Sequence, residues 1–244
     1  MLVLLLTLPL FAAKFWETKE FTAWTQAECM EILTKSPWAY SSAFGQVNPT
    51  VFPSLDADEN KNRGTVTGPP GGFGERDNSH IFDFRLRTSR PVRMAMAQLQ
   101  LLKAPTDQAL KEKAKQMVDA PSGKEIVIEI GYRSVPPGSS FVHDVHSYFL
   151  HATINDFRTN TYLEGDKTGM IPLSEYLAPN DKRSNPAFLF PRFNEKGEPL
   201  FTGNEKSISL RSEVNADVGG KKQKYNIFVK MNPKQMKFLN EFAF

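Results

Sequence analysis

The sequence predicts an α+β fold, with a mixed, largely antiparallel sheet and helices packed mainly on one face. Three observations carry that prediction. Apolar residues recur at helical spacing over 25–35, 89–103 and 139–153, they fall at strand period over 80–87, and after residue 160 polar turns containing glycine separate paired apolar stretches. Strand, two helices, strand, helix and then hairpins is an order that segregates helices from much of the sheet.

The first element is the run 1–13, MLVLLLTLPLFAA, which has no charged side chain and ends in small residues. Its length and ending are those of the apolar part of a secretory signal peptide. Lys14, Glu17 and Lys19 follow at once, so the run falls short of the ~20 apolar residues that span a bilayer. No Lys or Arg precedes it, which departs from the usual signal pattern; an uncleaved anchor or a buried terminal element are the other readings. The expected organisation is therefore signal peptide 1–13, docking helix 14–40, long loop 41–79 and α+β domain 80–244.

Within 14–40, Thr25 and Glu28 form a capping-box pattern, and Cys29, Met30, Ile32 and Leu33 supply an apolar stripe. Ser36-Pro37 ends this helix, since the residue before proline avoids helical geometry. All three tryptophans, Trp16, Trp24 and Trp38, lie around it with Phe21. Such a cluster either glues a terminal helix to the main domain or forms a carbohydrate platform; glue is the expected role. Cys29 is the only cysteine, so no intrachain disulfide forms, and its place on the apolar stripe predicts a buried small hydrophobe. An exported chain without disulfides suits a bacterial envelope.

Residues 41–79 carry the polar run from Asp56 to Arg63 and then Gly68-Pro69-Pro70-Gly71-Gly72-Phe73-Gly74. No Gly-Lys-Ser/Thr follows and prolines interrupt the glycines, so the phosphate-loop pattern fails and a long surface loop is the expectation, with a lid as its functional reading.

Order returns with Ile81, Phe82, Phe84 and Leu86 among Asp83, Arg85 and Arg87, an alternating strand. Ser89 caps a helix with Pro91 in its first turn, ending before Pro105. A Lys-rich helix over 107–118 should lie outside. Ile126, Val127, Ile128 and Ile130 form a buried strand, and Ser139 or Ser140 caps a helix running to about Thr153. Three hairpins are expected, 160–164 with 170–173, 187–192 with 199–201, and 207–214 with 225–231.

The residues Trp24-Thr25, Glu28, Ile32-Leu33 and Ser36-Pro37-Trp38-Ala39 spell WTxxExxxILxxSPWA. This resembles the opening of an uncharacterised family of exported proteins from soil bacteria, in which such a helix precedes an Arg-rich strand, a helix and a β-rich C-terminal half. The layout agrees from about residue 15 onward, including Phe190-Pro191-Arg192. The resemblance implies export and a common fold, and no activity.

Charge excludes one function class. The net charge is +3, basic and acidic residues alternate, and Lys221, Lys222 and Lys224 beside Gly219-Gly220 read as a solvated hairpin tip, so nucleic acid is not an expected partner. Among chemistry-bearing groups the strongest is the histidine set His143, His146 and His151, with Asp144 beside it. His143 and His146 share a helical face at i and i+3, a spacing that can chelate a metal. His151 joins only from the rim, Asp144 points away around the helix, and the HExxH pattern is missing. Gly-x-Ser-x-Gly does not occur, and the carboxylate pairs Asp56 with Asp58 and Asp156 with Glu164 sit in expected loops. No cofactor is expected. The expected function is a non-catalytic binding or interaction domain of the bacterial envelope, periplasmic or secreted, whose partner is an unknown ligand or envelope protein. The alternative is a metal-dependent or hydrolytic enzyme centred on His143 and His146.

Overall fold

A computed structural model describes residues 14–45, 65–67 and 79–244; the expected signal peptide, 1–13, lies outside them. The chain opens with helix α1 (Phe15–Thr18), a 3-10 turn (Phe21–Ala23) and helix α2 (Gln26–Lys35). Strands β1 (Ala39–Phe44), β2 (Thr65–Thr67) and β3 (Ser79–Leu86) lead to helices α3 (Arg90–Lys103) and α4 (Gln108–Asp119). Strand β4 (Glu125–Val135), helices α5 (Phe141–His151) and α6 (Ile154–Phe157), and strands β5 (Tyr162–Gly165), β6 (Gly169–Pro172), β7 (Glu175–Leu177) and β8 (Ala187–Pro191) follow. The long pair β9 (Ile208–Val218) and β10 (Lys221–Met231) and the short pair β11 (Lys237–Phe238) and β12 (Glu241–Phe242) complete the chain.

The fold is α+β. Its strands divide into two five-stranded sheets, ordered β1-β3-β4-β8-β7 and β2-β10-β9-β5-β6, where the sequence suggested one. Neighbouring strands in both are antiparallel. Alternation explains the split. β3 buries Phe82, Phe84 and Leu86, and β10 buries Tyr225, Ile227, Val229 and Met231, so each sheet has one apolar face to cover. The faces meet through aromatic rings. Tyr225 lies 5.2 Å from both Phe44 and Phe82, and Phe82 lies 5.6 Å from Phe141 of α5. Helix α5 packs against β4 of the first sheet and β9 of the second.

The N-terminal segment docks as glue. Thr25 and Glu28 form the expected capping box, and Lys19 pairs with Glu28 at 2.8 Å. Gln98 of α3 donates to the carbonyls of Thr22 and Trp24 at 2.9 Å, while Trp38 Nε1 donates to Ala243 O at 2.6 Å. Trp16, Trp24 and Trp38 are all buried, which removes the carbohydrate-platform alternative for this cluster. Cys29 is fully buried, and desolvation, with Glu28 nearby, pushes its thiol up to about 11.

Several boundaries differ from expectation. Residues 41–44 belong to β1, paired with β3 from Ala39↔Arg85 to Phe44↔His80, and Thr65–Thr67 pairs with β10. The expected 41–79 loop thus contains two strands, and the rest of it lies outside the described residues. The helix expected to reach Thr153 stops at His151, because Thr153 begins a second helix with its own capping box to Asp156. Residues 199–201 form no strand; Phe193 and Pro199 make an isolated bridge, and β8 instead pairs with β4 and β7. Ser89 precedes α3, yet its hydroxyl donates to Leu86 O rather than accepting from the first turn.

Candidate functional site

Helix α5 is set by its apolar side. Phe141, Val145 and Phe149 recur every four residues and are fully buried. Phe141 stacks on His80 with centroids 4.1 Å apart and planes 8° apart, which fixes the helix against β3. That rotation turns Asp144, Ser147, Tyr148 and His151, at i, i+3, i+4 and i+7, toward the end of the β9–β10 hairpin.

Between them lies a cleft of about 780 Å³, of a size that suits a small ligand. Asn215, Asp217, Lys222, Gln223 and Lys224 form its hairpin wall, and Asp156 of α6 also lines it. Gly219 and Gly220 make the hairpin turn with φ of +60° and +74°, left-handed values that any other residue adopts only with strain. The Gly219 N–H donates to Asp144 Oδ2 at 3.0 Å, so the turn is tied to α5.

Much of the charge in this cleft is already engaged. The Gly219 N–H, and then the Ser140 hydroxyl, hold the Asp144 carboxyl below the usual carboxylate range. Backbone and hydroxyl bonds from Thr153 do the same for Asp156. Lys224 pairs with Glu213 at 2.5 Å. Burial pushes the Tyr148 phenol up to about 12, so it stays protonated and serves as a hydrogen-bonding group. The Nδ1 of His151 lies 2.8 Å from Ser147 O. A carbonyl only accepts, so His151 donates from Nδ1.

Below the cleft a hydrogen-bonded chain runs into the core. Tyr225 OH donates to Gln223 Oε1 at 2.5 Å, and His80 Nδ1 lies 2.8 Å from Tyr225 OH. An amide oxygen only accepts, so the phenol proton is committed to Gln223, and His80 must donate from Nδ1. Desolvation lowers the His80 pKa, which keeps the ring neutral.

The histidines singled out in the sequence behave differently. His143 is exposed, and His146 Nδ1 meets Tyr132 OH at 2.6 Å. Neither lines the cleft. Among the described residues no three His, Cys, Asp or Glu side chains converge to hold a metal ion, so His143 and His146 gather no third ligand. The cleft face of α5 is the neighbouring one, carrying Asp144 and His151. Sequence reasoning missed Tyr148, Asn215, Gln223, His80 and Tyr225. Period-2 spacing puts Gln223 and Tyr225 on one face of β10, but nothing local joins them to His80, 145 residues away.

Among the described residues no helix is long and apolar enough to cross a membrane. Comparison with protein-family models, curated proteins and solved structures finds no match for this chain.

Proposed function

We propose that this protein is an exported, non-catalytic binding domain of the bacterial envelope, and that the cleft between α5 and the β9–β10 hairpin holds its ligand. One observation carries the binding site: side chains from three separated parts of the chain, α5, α6 and the hairpin, converge on a single cleft of about 780 Å³ lined by hydroxyl, amide and charged groups. Their chemistry favours binding over catalysis. Asp144 and Asp156 are ionised, and each carboxylate is held in place, Asp144 by the Gly219 N–H and the Ser140 hydroxyl and Asp156 by the Thr153 N–H and hydroxyl, which suits fixed acceptors. Export rests on the uncharged run 1–13, and kinship with the exported family rests on the WTxxExxxILxxSPWA pattern.

The rival is a metal-dependent enzyme at His143 and His146. Elemental analysis of the purified chain separates the two. Two imidazoles on one helix without a third ligand hold zinc weakly, so less than about a tenth of an equivalent of zinc, nickel or copper is expected. Near-stoichiometric metal that disappears in a His143→Ala, His146→Ala double variant overturns the binding reading.

A further inference from the structure

We infer that the cleft takes an organic polyamine, an aliphatic chain carrying two or more ammonium groups, with Asp144, Asp156 and Asp217 as its fixed counter-charges and the Tyr148 ring as a surface for its methylenes. The inference rests on the cleft being the ligand site.

The class of ligand follows from the charge balance of the lining. The carboxylates of Asp144, Asp156 and Asp217 and the ammonium groups of Lys222 and Lys224 line one cleft of about 780 Å³. Lys224 is already paired with Glu213 at 2.5 Å, so the three carboxylates stand against Lys222 alone. The bonds that hold Asp144 and Asp156 come from backbone N–H groups and a hydroxyl, which carry no net charge; they fix the carboxylates and leave the charge in place. Asp217 and Lys222 are register partners across the hairpin, yet no ion pair joins them, and among the described residues the Asp217 carboxylate has no partner. The chain as a whole carries +3, so this acidic lining runs against the balance of the molecule. The field registers at Tyr148, whose phenol is pushed up to about 12 by burial first and then by the Asp156 and Glu213 charges. A cation entering the cleft relieves the repulsion, and an anion adds to it.

Shape selects an organic cation over a metal ion. A metal draws several ligands to one point, and among the described residues no three His, Cys, Asp or Glu side chains converge in that way. The carboxylates come instead from α5, α6 and β9, around a cleft with room for a molecule of several carbons. The lining also holds the Tyr148 ring and the methyls of Ala152 and Ala216, apolar surface of the kind that methylenes cover, and an aromatic face attracts an ammonium within about 6 Å. The counter-charges are set before any ligand arrives. Oδ2 of Asp156 accepts from the Thr153 N–H at 2.7 Å and from its hydroxyl at 2.9 Å, while Oδ1 makes no hydrogen bond among the described residues. An acceptor fixed in advance loses little freedom on binding.

The experiment uses ¹⁵N-labelled full chain, observed by NMR through its backbone amides, at low salt and at about 0.15 M sodium chloride. Spermidine and putrescine are titrated in, with calcium, inorganic phosphate, maltohexaose and trilysine, a peptide of similar net charge to spermidine, as comparators. Spermidine should move the amides of residues 144–156 and 215–224, bind more tightly than putrescine because it carries more charge, and weaken as salt is raised. Asp217→Asn should weaken spermidine about threefold to fivefold, the upper range for one solvent-facing ion pair, and Asp156→Asn at least as much. Lys222→Gln removes the opposing charge and should tighten binding about twofold. Glu195→Gln, at an exposed carboxylate outside the cleft lining, should change nothing. Asp217 takes part in no helix cap, so Asp217→Asn keeps the test open if Asp156→Asn disturbs α6. An equal loss in Glu195→Gln, or wild-type binding in both Asp217→Asn and Lys222→Gln, overturns the assignment of the counter-charges. Calcium or trilysine binding the cleft more tightly than spermidine overturns the polyamine class. Phosphate or maltohexaose moving the cleft amides while both amines are silent overturns a cationic ligand and keeps the cleft as the site; silence from all six probes also overturns the polyamine. Amine shifts confined to residues outside the cleft overturn the reading of the cleft as the ligand site.

Discussion

Asp144, one turn into helix α5, accepts a hydrogen bond from the backbone N–H of Gly219, 75 residues later, at 3.0 Å. This contact ties the tip of the β9–β10 hairpin to the helix. Asp144→Ala should free the turn while leaving the sheet paired. The check is amide hydrogen exchange: Gly219 should exchange about fivefold to tenfold faster, with the central amides of β9 and β10 unchanged. Unaltered exchange at Gly219 would show that the contact does not hold the turn.

The aromatic N-terminus should behave as core. Trp38 is fully buried and joins the first segment to the last through Ala243 O. Trp38→Ala removes both the ring and that bond, and should cost about 3–5 kcal/mol in denaturant unfolding. Trp24→Ala should fall in the same range. A variant with the stability of the wild type would return these rings to a surface role.

Glu129 holds the polar side of the first sheet together. Its carboxylate accepts from Arg87 at 2.7 Å, Arg85 at 3.1 Å and Asn185 at 3.2 Å. Only about a tenth of its side chain meets solvent, so Glu129→Ala leaves two guanidiniums facing each other without their counter-charge. Both arginines still reach water, which places the expected loss at about 2–3 kcal/mol, below the full cost of stranding a buried charge. The loss should shrink in high salt, as screening relieves the repulsion.

Stability should depend on pH through His80. Burial lowers its pKa in the folded state, so folding favours the neutral ring. Above its unfolded pKa of about 6.5 neither state binds the proton and the contribution is complete. Below that pH the unfolded chain takes up a proton that the folded chain refuses, so stability falls with pH until the folded pKa is passed. This group supplies at most about 1.4 kcal/mol per pH unit. The melting temperature of the wild type should therefore drop between about pH 6.5 and 5 more steeply than that of His80→Gln, measured in the same buffers. Parallel curves would remove His80 as the source.

Export is checked directly. Protein made through a bacterial secretion pathway should begin near Lys14 when its N-terminus is sequenced. Material that keeps Met1 and stays in the cytoplasm would end the envelope assignment.

Much of the fold was legible in the sequence because its signals are local. The Thr25–Glu28 capping box, the alternation from Ile81 to Leu86, the Lys-rich exterior of α4 and the Gly219-Gly220 turn each depend on residues within a few positions of one another. The burial of Cys29 and the absence of an intrachain disulfide follow equally from one residue and its helical stripe. What tertiary structure decided is what depends on distant partners. β1 is polar in sequence, with Ser41 and Ser42, and becomes a strand because β3 offers it an edge. Two sheets form where one was expected, because each long strand pair has its own apolar face and the rings of Phe44, Phe82, Phe141 and Tyr225 lock those faces together. The candidate site moved for the same reason. Helical spacing correctly put His143 and His146 on one face, but the rotation of α5 is set by Phe141 stacking on His80, and that turns Asp144, Ser147, Tyr148 and His151 to the cleft instead. Sequence fixes which residues share a face, while the packing of buried rings from remote strands chooses where that face looks.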